Sequence, residues 1–204
     1  MRNNDFPDVN DQLFIPEMNN NKWASSGIES FFKLSEGYRW TASIIYDKIK
    51  ESEQFYKPFM VNVMAFCYRQ FLELRIKELT YYGKKESYVK AEYDQVHDLI
   101  KLYDKYVIDV IPLINTNYDK KIFSIVRNLL LEFNSIDATS MSFRYPVDKK
   151  MKPLHNLLNF DIDNFKIVMD KISNFFDMQR QELEMLELYN KEMEDEYNRS
   201  MMDY

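Results

Sequence analysis

The stretch VNVMAFCYRQFLELRIKEL, residues 61–79, decides how this chain folds. Pro58 suits the first turn of a helix and Gly83 a helix stop, so the stretch reads as the body of one helix over about residues 58–82. It is the most apolar helix of the chain and therefore the central one. At 100° per residue, Asn62, Arg69, Glu73 and Lys77 fall within about 80° of one another, while Met60, Met64, Cys67, Phe71 and Leu74 lie opposite. One narrow polar strip thus crosses an apolar helix, and two readings of it are open. It is a solvent-facing seam with an Arg69–Glu73 ion pair worth about 0.3–0.5 kcal/mol. Or it is the floor of a pocket in which Glu73 aims the Arg69 fork, with Lys77 beside it, at a phosphate or carboxylate.

Outward from this helix, glycine is confined to Gly27, Gly37 and Gly83, and β-branched residues do not alternate with polar ones over strand lengths. The expectation is all-α: an up-and-down helical bundle with a long C-terminal helix and an extended N-terminal arm. Residues 1–22, rich in Asn, Asp and Pro, form the arm, which can drape over the body through Phe6, Leu13, Phe14 and Ile15. Residues 23–176 form the bundle and 177–204 an acidic helical extension. A short helix is expected over 26–34 and a longer one over 36–50, with Trp40, Ile44, Ile45 and Ile49 as its buried stripe. Residues 84–95 read mostly as loop. His97 and Asp98 open a helix in which Leu99, Leu102, Tyr103, Tyr106 and Val110 recur at helical spacing until Pro112. Thr116 or Asn117 caps the next, with Ile122, Ile125, Val126, Leu129, Leu130 and Phe133 facing inward. The last helix begins near Asp161 or Asp163 and runs to about residue 198. Its residues Phe165, Met169, Ile172, Phe176, Gln179, Leu183, Leu186, Asn190 and Met193 alternate steps of four and three, a heptad seam with two polar members. The stripe narrows in the second half, so the later turns protrude, meet a partner helix, or fray.

At 204 residues and 46% hydrophobic, the chain can bury a real core as one domain. Cys67, the only cysteine, sits in the apolar run, which excludes a disulfide framework and suits a reducing compartment. No secretory leader is evident and no apolar run nears the roughly 20 residues of a bilayer span, so a cytoplasmic protein without membrane association is expected. The net charge of −6 argues against bulk coating of DNA or RNA. Its distribution is uneven. Residues 177–204 hold nine acidic and three basic side chains, which leaves 24 of each sign, out of 33 and 27, for residues 1–176. Any basic site must therefore be local.

The connector over 138–160 is the place to look for one. Its core, SFRYPVDKKMKP (residues 142–153), carries Arg144, Tyr145, Lys149, Lys150 and Lys152 against a single Asp148. Pro146 pushes Tyr145 toward extended backbone and so directs Arg144 beside two aromatic rings, a stacked guanidinium offered to an anion or tied to a helix end. His97 at a helix start is favoured as neutral imidazole by the helix dipole. It is a helix cap, or a general acid–base near Arg69 and Arg144. The two histidines and one cysteine have no metal-ligand spacing, and no glycine-rich phosphate loop or nucleophile elbow is present, so neither a metal nor a cofactor is expected.

Three segments resemble HEPN-superfamily bacterial proteins: EGYRWTASIIYDKI (36–49); FCYRQFLELRIKELTYYG (66–83) with HDLIKLYDKY (97–106); and SIDATSMSFRYPVDKK (135–150). The match covers about residues 36–178. The resemblance implies a helical bundle, frequent homodimerisation, and roles as toxins, ribonucleases or parts of phage-defence systems. The HEPN ribonuclease pattern, Arg followed four to six residues later by His, is absent here. If activity remains, Arg69, Glu73, His97 and Arg144 must gather from three segments. Three functions are compatible with these residues. The first is binding of an RNA end, a nucleotide or another anion by Arg69, Lys77, Arg144, Tyr145, Lys149 and Lys150. The second is metal-independent RNA cleavage with His97 as acid or base, and the third is an adaptor that holds a protein partner through 177–204.

Overall fold

The structure is a computed structural model that describes residues 30–90, 95–114, 119–148, 150–154 and 159–202. The expected arm over 1–22, the first residues of the expected short helix, Thr116, Asn117, Lys149 and His155 lie outside those residues. The chain is an all-α bundle: α1 (Phe31–Glu51), α2 (Lys57–Glu86), α3 (Leu99–Asp109), α4 (Lys120–Ile136) and α5 (Ile162–Met202), with a 3-10 turn at Ile111–Leu113. Pro58 stands in the first turn of α2. Aspartates cap three of the helices: Asp98 accepts from Ile100 N and Lys101 N, Asp119 from Lys121 N, and Asp161 from Asp163 N and Asn164 N. Asp119 thus fills the capping role expected of Thr116 or Asn117.

Pairs of contacting residues give the helix directions. α1 runs against α2, since Phe32 meets Arg75 while Tyr38 meets Phe66. α5 runs with α2, from Tyr68–Phe165 through Glu78–Arg180 to the hydrogen bond from Asn190 to the Glu86 carbonyl. α4 runs against α3, with Arg127 on Asp104 and Asn134 on Asp98. α2 therefore touches α1, α3 and α5, and from Met64 to Leu79 it is buried nearly all round. Phe71, Leu72, Ile76 and Leu79 pack there with Tyr103, Tyr106, Leu130, Phe176 and Leu183.

The heptad seam of α5 is buried through Leu183, and its polar members are answered. Tyr106 donates to Gln179 Oε1 at 3.0 Å, and Asn190 Nδ2 reaches the last turn of α2 at 2.6 Å. Three expectations are corrected. α1 buries Ser35, Ala42 and Ile49, spaced by heptads, while Trp40 and Ile44 are 65% and 68% exposed. Small residues on the seam let α1 lie close against α2, and that closeness outweighs the greater apolar area of the opposite face. Ile125 on α4 is likewise exposed, since Val126, Leu130 and Phe133 supply its contact line.

Gly83 does not stop α2, which continues to Glu86. A methyl at Gly83 would run into Val110 Cγ1 and stand 3.3 Å from Leu183 Cδ2, so the glycine sits where Val110, just past α3, and Leu183 of α5 close on α2. Gly83→Ala gains up to about 1 kcal/mol of helix propensity and loses about 1–3 kcal/mol to overpacking. Net destabilisation is expected by urea unfolding, with recovery on adding Val110→Ala; a Gly83→Ala variant more stable than the wild type would contradict this packing.

Candidate functional site

The polar strip of α2 lies under other segments. Arg69, Glu73 and Lys77 are all buried, whereas Asn62 is exposed. Arg69 is fully enclosed. Its Nε donates to the Asp137 carbonyl at 3.2 Å, one Nη to Glu73 Oε2 at 3.1 Å, and the other to the His97 carbonyl. Glu73 Oε1 accepts from Lys77 Nζ at 2.9 Å and from His97 Nδ1 at 2.8 Å. Both carboxylate oxygens are therefore engaged. Burial pushes the Glu73 carboxyl up, but the Lys77 and His97 hydrogen bonds and the charges of Lys77 and Arg69 outweigh it and hold the carboxyl below its ordinary range. Burial also opposes the charge on Arg69, yet a guanidinium stays protonated at any accessible pH.

Arg69, Glu73 and His97 meet, from two of the three segments expected to gather, and Lys77 joins them. The His97 ring is 63% exposed, so its Nδ1–H is held by a buried carboxylate while the rest of the ring faces solvent. Arg144 is not among the groups around Glu73. The connector leaves α4 at Asp137, whose Oδ1 accepts from Met141 N and Ser142 N, and Ser140 Oγ accepts from Gln70 on α2. It brings the exposed Arg144 guanidinium 5.9 Å from the Phe66 ring and 5.1 Å from that of Tyr145. Phe66 and Glu73 are seven residues apart on one face of α2, about 10 Å along its axis. Farther on, Asp148 Oδ1 accepts from Lys150 N and Lys152 N, closing a small turn that leaves both lysines exposed.

A second buried charge cluster lies across α2, outside the polar strip. Acidic and basic residues spaced i,i+3 on three helices converge: Glu36 and Arg39 on α1, Arg75 and Glu78 on α2, and Asp177 and Arg180 on α5. Arg75 pairs with Glu36, lies 3.6 Å from Glu78 and 3.7 Å from Asp177, while Arg39 holds Asp177 at 3.1 Å and Arg180 pairs with Glu78. The Phe32 ring sits against both guanidiniums, at 4.7 Å from Arg75 and 4.0 Å from Arg180. Among the described residues, Arg75 Nε and Nη1 and Glu78 Oε2 lack a hydrogen-bond partner. Glu78 differs from Glu73: burial raises its carboxyl, and the Arg180 and Arg75 charges do not offset it. The sequence signal was the i,i+3 spacing on three helices, but nothing local says that the pairs meet.

Among the described residues, no group of three His, Cys, Asp or Glu is placed to hold a metal ion, and no helix is long and apolar enough to cross a membrane. No family model, curated protein or solved structure matches the chain.

Removing Glu73 leaves Arg69 buried without its carboxylate. Glu73→Ala should cost about 3–5 kcal/mol in urea unfolding. A carboxyl held low in the folded state stabilises fully above its unfolded value, near 4.5, and loses that contribution as pH falls through the lower folded value. The stability gap between wild type and Glu73→Gln should therefore shrink on acidification below about pH 4.5; a gap that widens would refute the assignment.

Proposed function

We infer that this chain is a non-catalytic binding protein whose acidic C-terminal helix engages a partner carrying a basic amphipathic helix. One observation carries this reading: α5 runs on past the end of α2, and every residue over 191–201 is exposed. A free helix of a dozen residues is marginal in water and gains its stability from packing an apolar face. Such a face is present, since Met185, Tyr189, Met193, Tyr197 and Met201 recur every four residues and all are exposed. That row is an i+4 ridge, which packs against a crossing helix better than along a heptad coil. Methionine and tyrosine suit adaptable contacts with one wet edge. The charge chooses the partner: residues 177–204 carry net −6, so two copies of this segment repel and a basic helix is drawn in. The HEPN resemblance extends the reading to a cytoplasmic, homodimeric protein of bacterial defence, toxin–antitoxin or phage counter-defence systems, with its dimer contact away from this segment.

A second reading rests on the Glu73–His97 pair at 2.8 Å. With Nδ1–H held by Glu73, the imidazole can act as acid or base toward a ribose hydroxyl, and Arg144, Tyr145 and Lys150 would meet an RNA end or nucleotide. Arg69 and Lys77 would then act by positioning Glu73, not by touching the anion.

Deleting residues 191–204 should leave the unfolding midpoint of the body unchanged and abolish binding of a synthetic Leu/Lys amphipathic peptide, measured by calorimetry. Binding that survives the deletion excludes the helix as the docking element. For the second reading, His97→Ala should abolish RNA cleavage measured in EDTA; a wild type that leaves RNA intact removes it.

A further inference from the structure

We propose that the cavity enclosed by α4, the connector and α5 is a binding site for a small apolar molecule bearing a protonated amine. The cavity is about 420 Å³, within the roughly 300–1,000 Å³ of small-molecule sites. Its inner wall is Leu129, Val168, Met169 and Ile172, with Ala65 of α2 at the back. Four phenylalanines around it form one aromatic chain: Phe143 lies 5.9 Å from Phe133, Phe133 5.9 Å from Phe165, and Phe165 5.2 Å from Phe160. Water gains little from such a lining, so an apolar body is favoured inside.

The charges around the cavity select the head group. Glu132 and Asp161 line it together with Asn159 and Asn164, and among the described residues no Lys, Arg or His does. The lysines of the neighbouring turns are paired elsewhere, Lys50 with Asp163 and Lys166 with Asp170. Asp161 Oδ1 is occupied by the first backbone amides of α5, which balances the positive helix end and leaves Glu132, exposed on α4, as the carboxylate for an incoming cation. An ammonium there gains a charge-assisted hydrogen bond and the negative faces of the phenylalanine rings. A fatty acid or any other carboxylate meets like charge instead.

The test uses the full chain and three probes with one common body: 3-phenylpropylamine, 3-phenylpropanol and 3-phenylpropanoate, with affinities from calorimetry at neutral pH. The amine should bind about tenfold more tightly than the alcohol, and the carboxylate weakest. Glu132→Gln, a surface change that leaves the fold intact, should bring the amine down to the level of the alcohol without weakening the alcohol. Val168→Phe, which fills the cavity, should weaken all three. Equal affinity for the three probes, or an amine preference untouched by Glu132→Gln, overturns the proposal. So does wild-type protein that binds none of them.

Discussion

A guanidinium taken wholly out of water costs several kcal/mol unless acceptors surround it. Arg69 is such a group, and its acceptors are one carboxylate on its own helix and two backbone carbonyls 28 and 68 residues away in the chain. The requirement acts as a three-way tie: it holds the start of α3 and the end of α4 against one turn of α2. Asn134 reinforces the junction by accepting from Leu99 N and donating to Asp98. From that junction the connector departs with a set direction, Asp137 folding its first residues back so that Arg144 lies over Phe66 and Phe143 against Phe133. The wall of the apolar cavity is therefore downstream of one buried arginine.

The opposite side of α2 is organised by the same physics with more partners. Arg75, enclosed among Glu36, Glu78 and Asp177 and stacked on Phe32 and Phe71, couples α1, α2 and α5. Networks of this kind add little net stability, because the desolvation of each ion offsets most of the attraction, but they penalise wrong registers heavily. The register they impose is parallel between α2 and α5. Since α5 has 41 residues against 30 for α2, and the two part at Glu86 and Asn190, the surplus turns have no other described helix beside them. The projecting acidic segment thus follows from helix length and register.

These two charge clusters also sort the side chains by the work open to them. Arg69, Lys77 and Arg75 are enclosed and committed to carboxylates inside the protein. Groups that face outward include the His97 ring, Arg144 on its aromatic stack, Lys150 and Lys152 on the connector turn, and the ridge of α5. A chain with net charge −6 that hides its buried arginines presents a surface on which acidic helices and isolated cations are distinct features.

Composition and helical periodicity determine that the chain is all-α, that residues 61–79 are its central helix, that helices start near Asp98 and near Asp161 or Asp163, and that the last helix carries a heptad seam, which the structure buries as far as Leu183. They also single out Arg69, Glu73, His97 and Arg144, of which the first three meet in space and Arg144 does not join them. Each of these depends on interactions within a few turns, and those are written in local spacing. What a neighbour covers is not. Trp40 and Ile44 look like the buried stripe of α1 until Ser35 and Ala42 allow the closer approach. Gly83 looks like a stop until Val110 and Leu183 need its missing side chain, and Arg69, Glu73 and Lys77 resemble a wet strip until residues from far along the chain lie over them. Only the tertiary structure decided these points, because burial belongs to pairs of surfaces, and a single helix specifies just one of each pair.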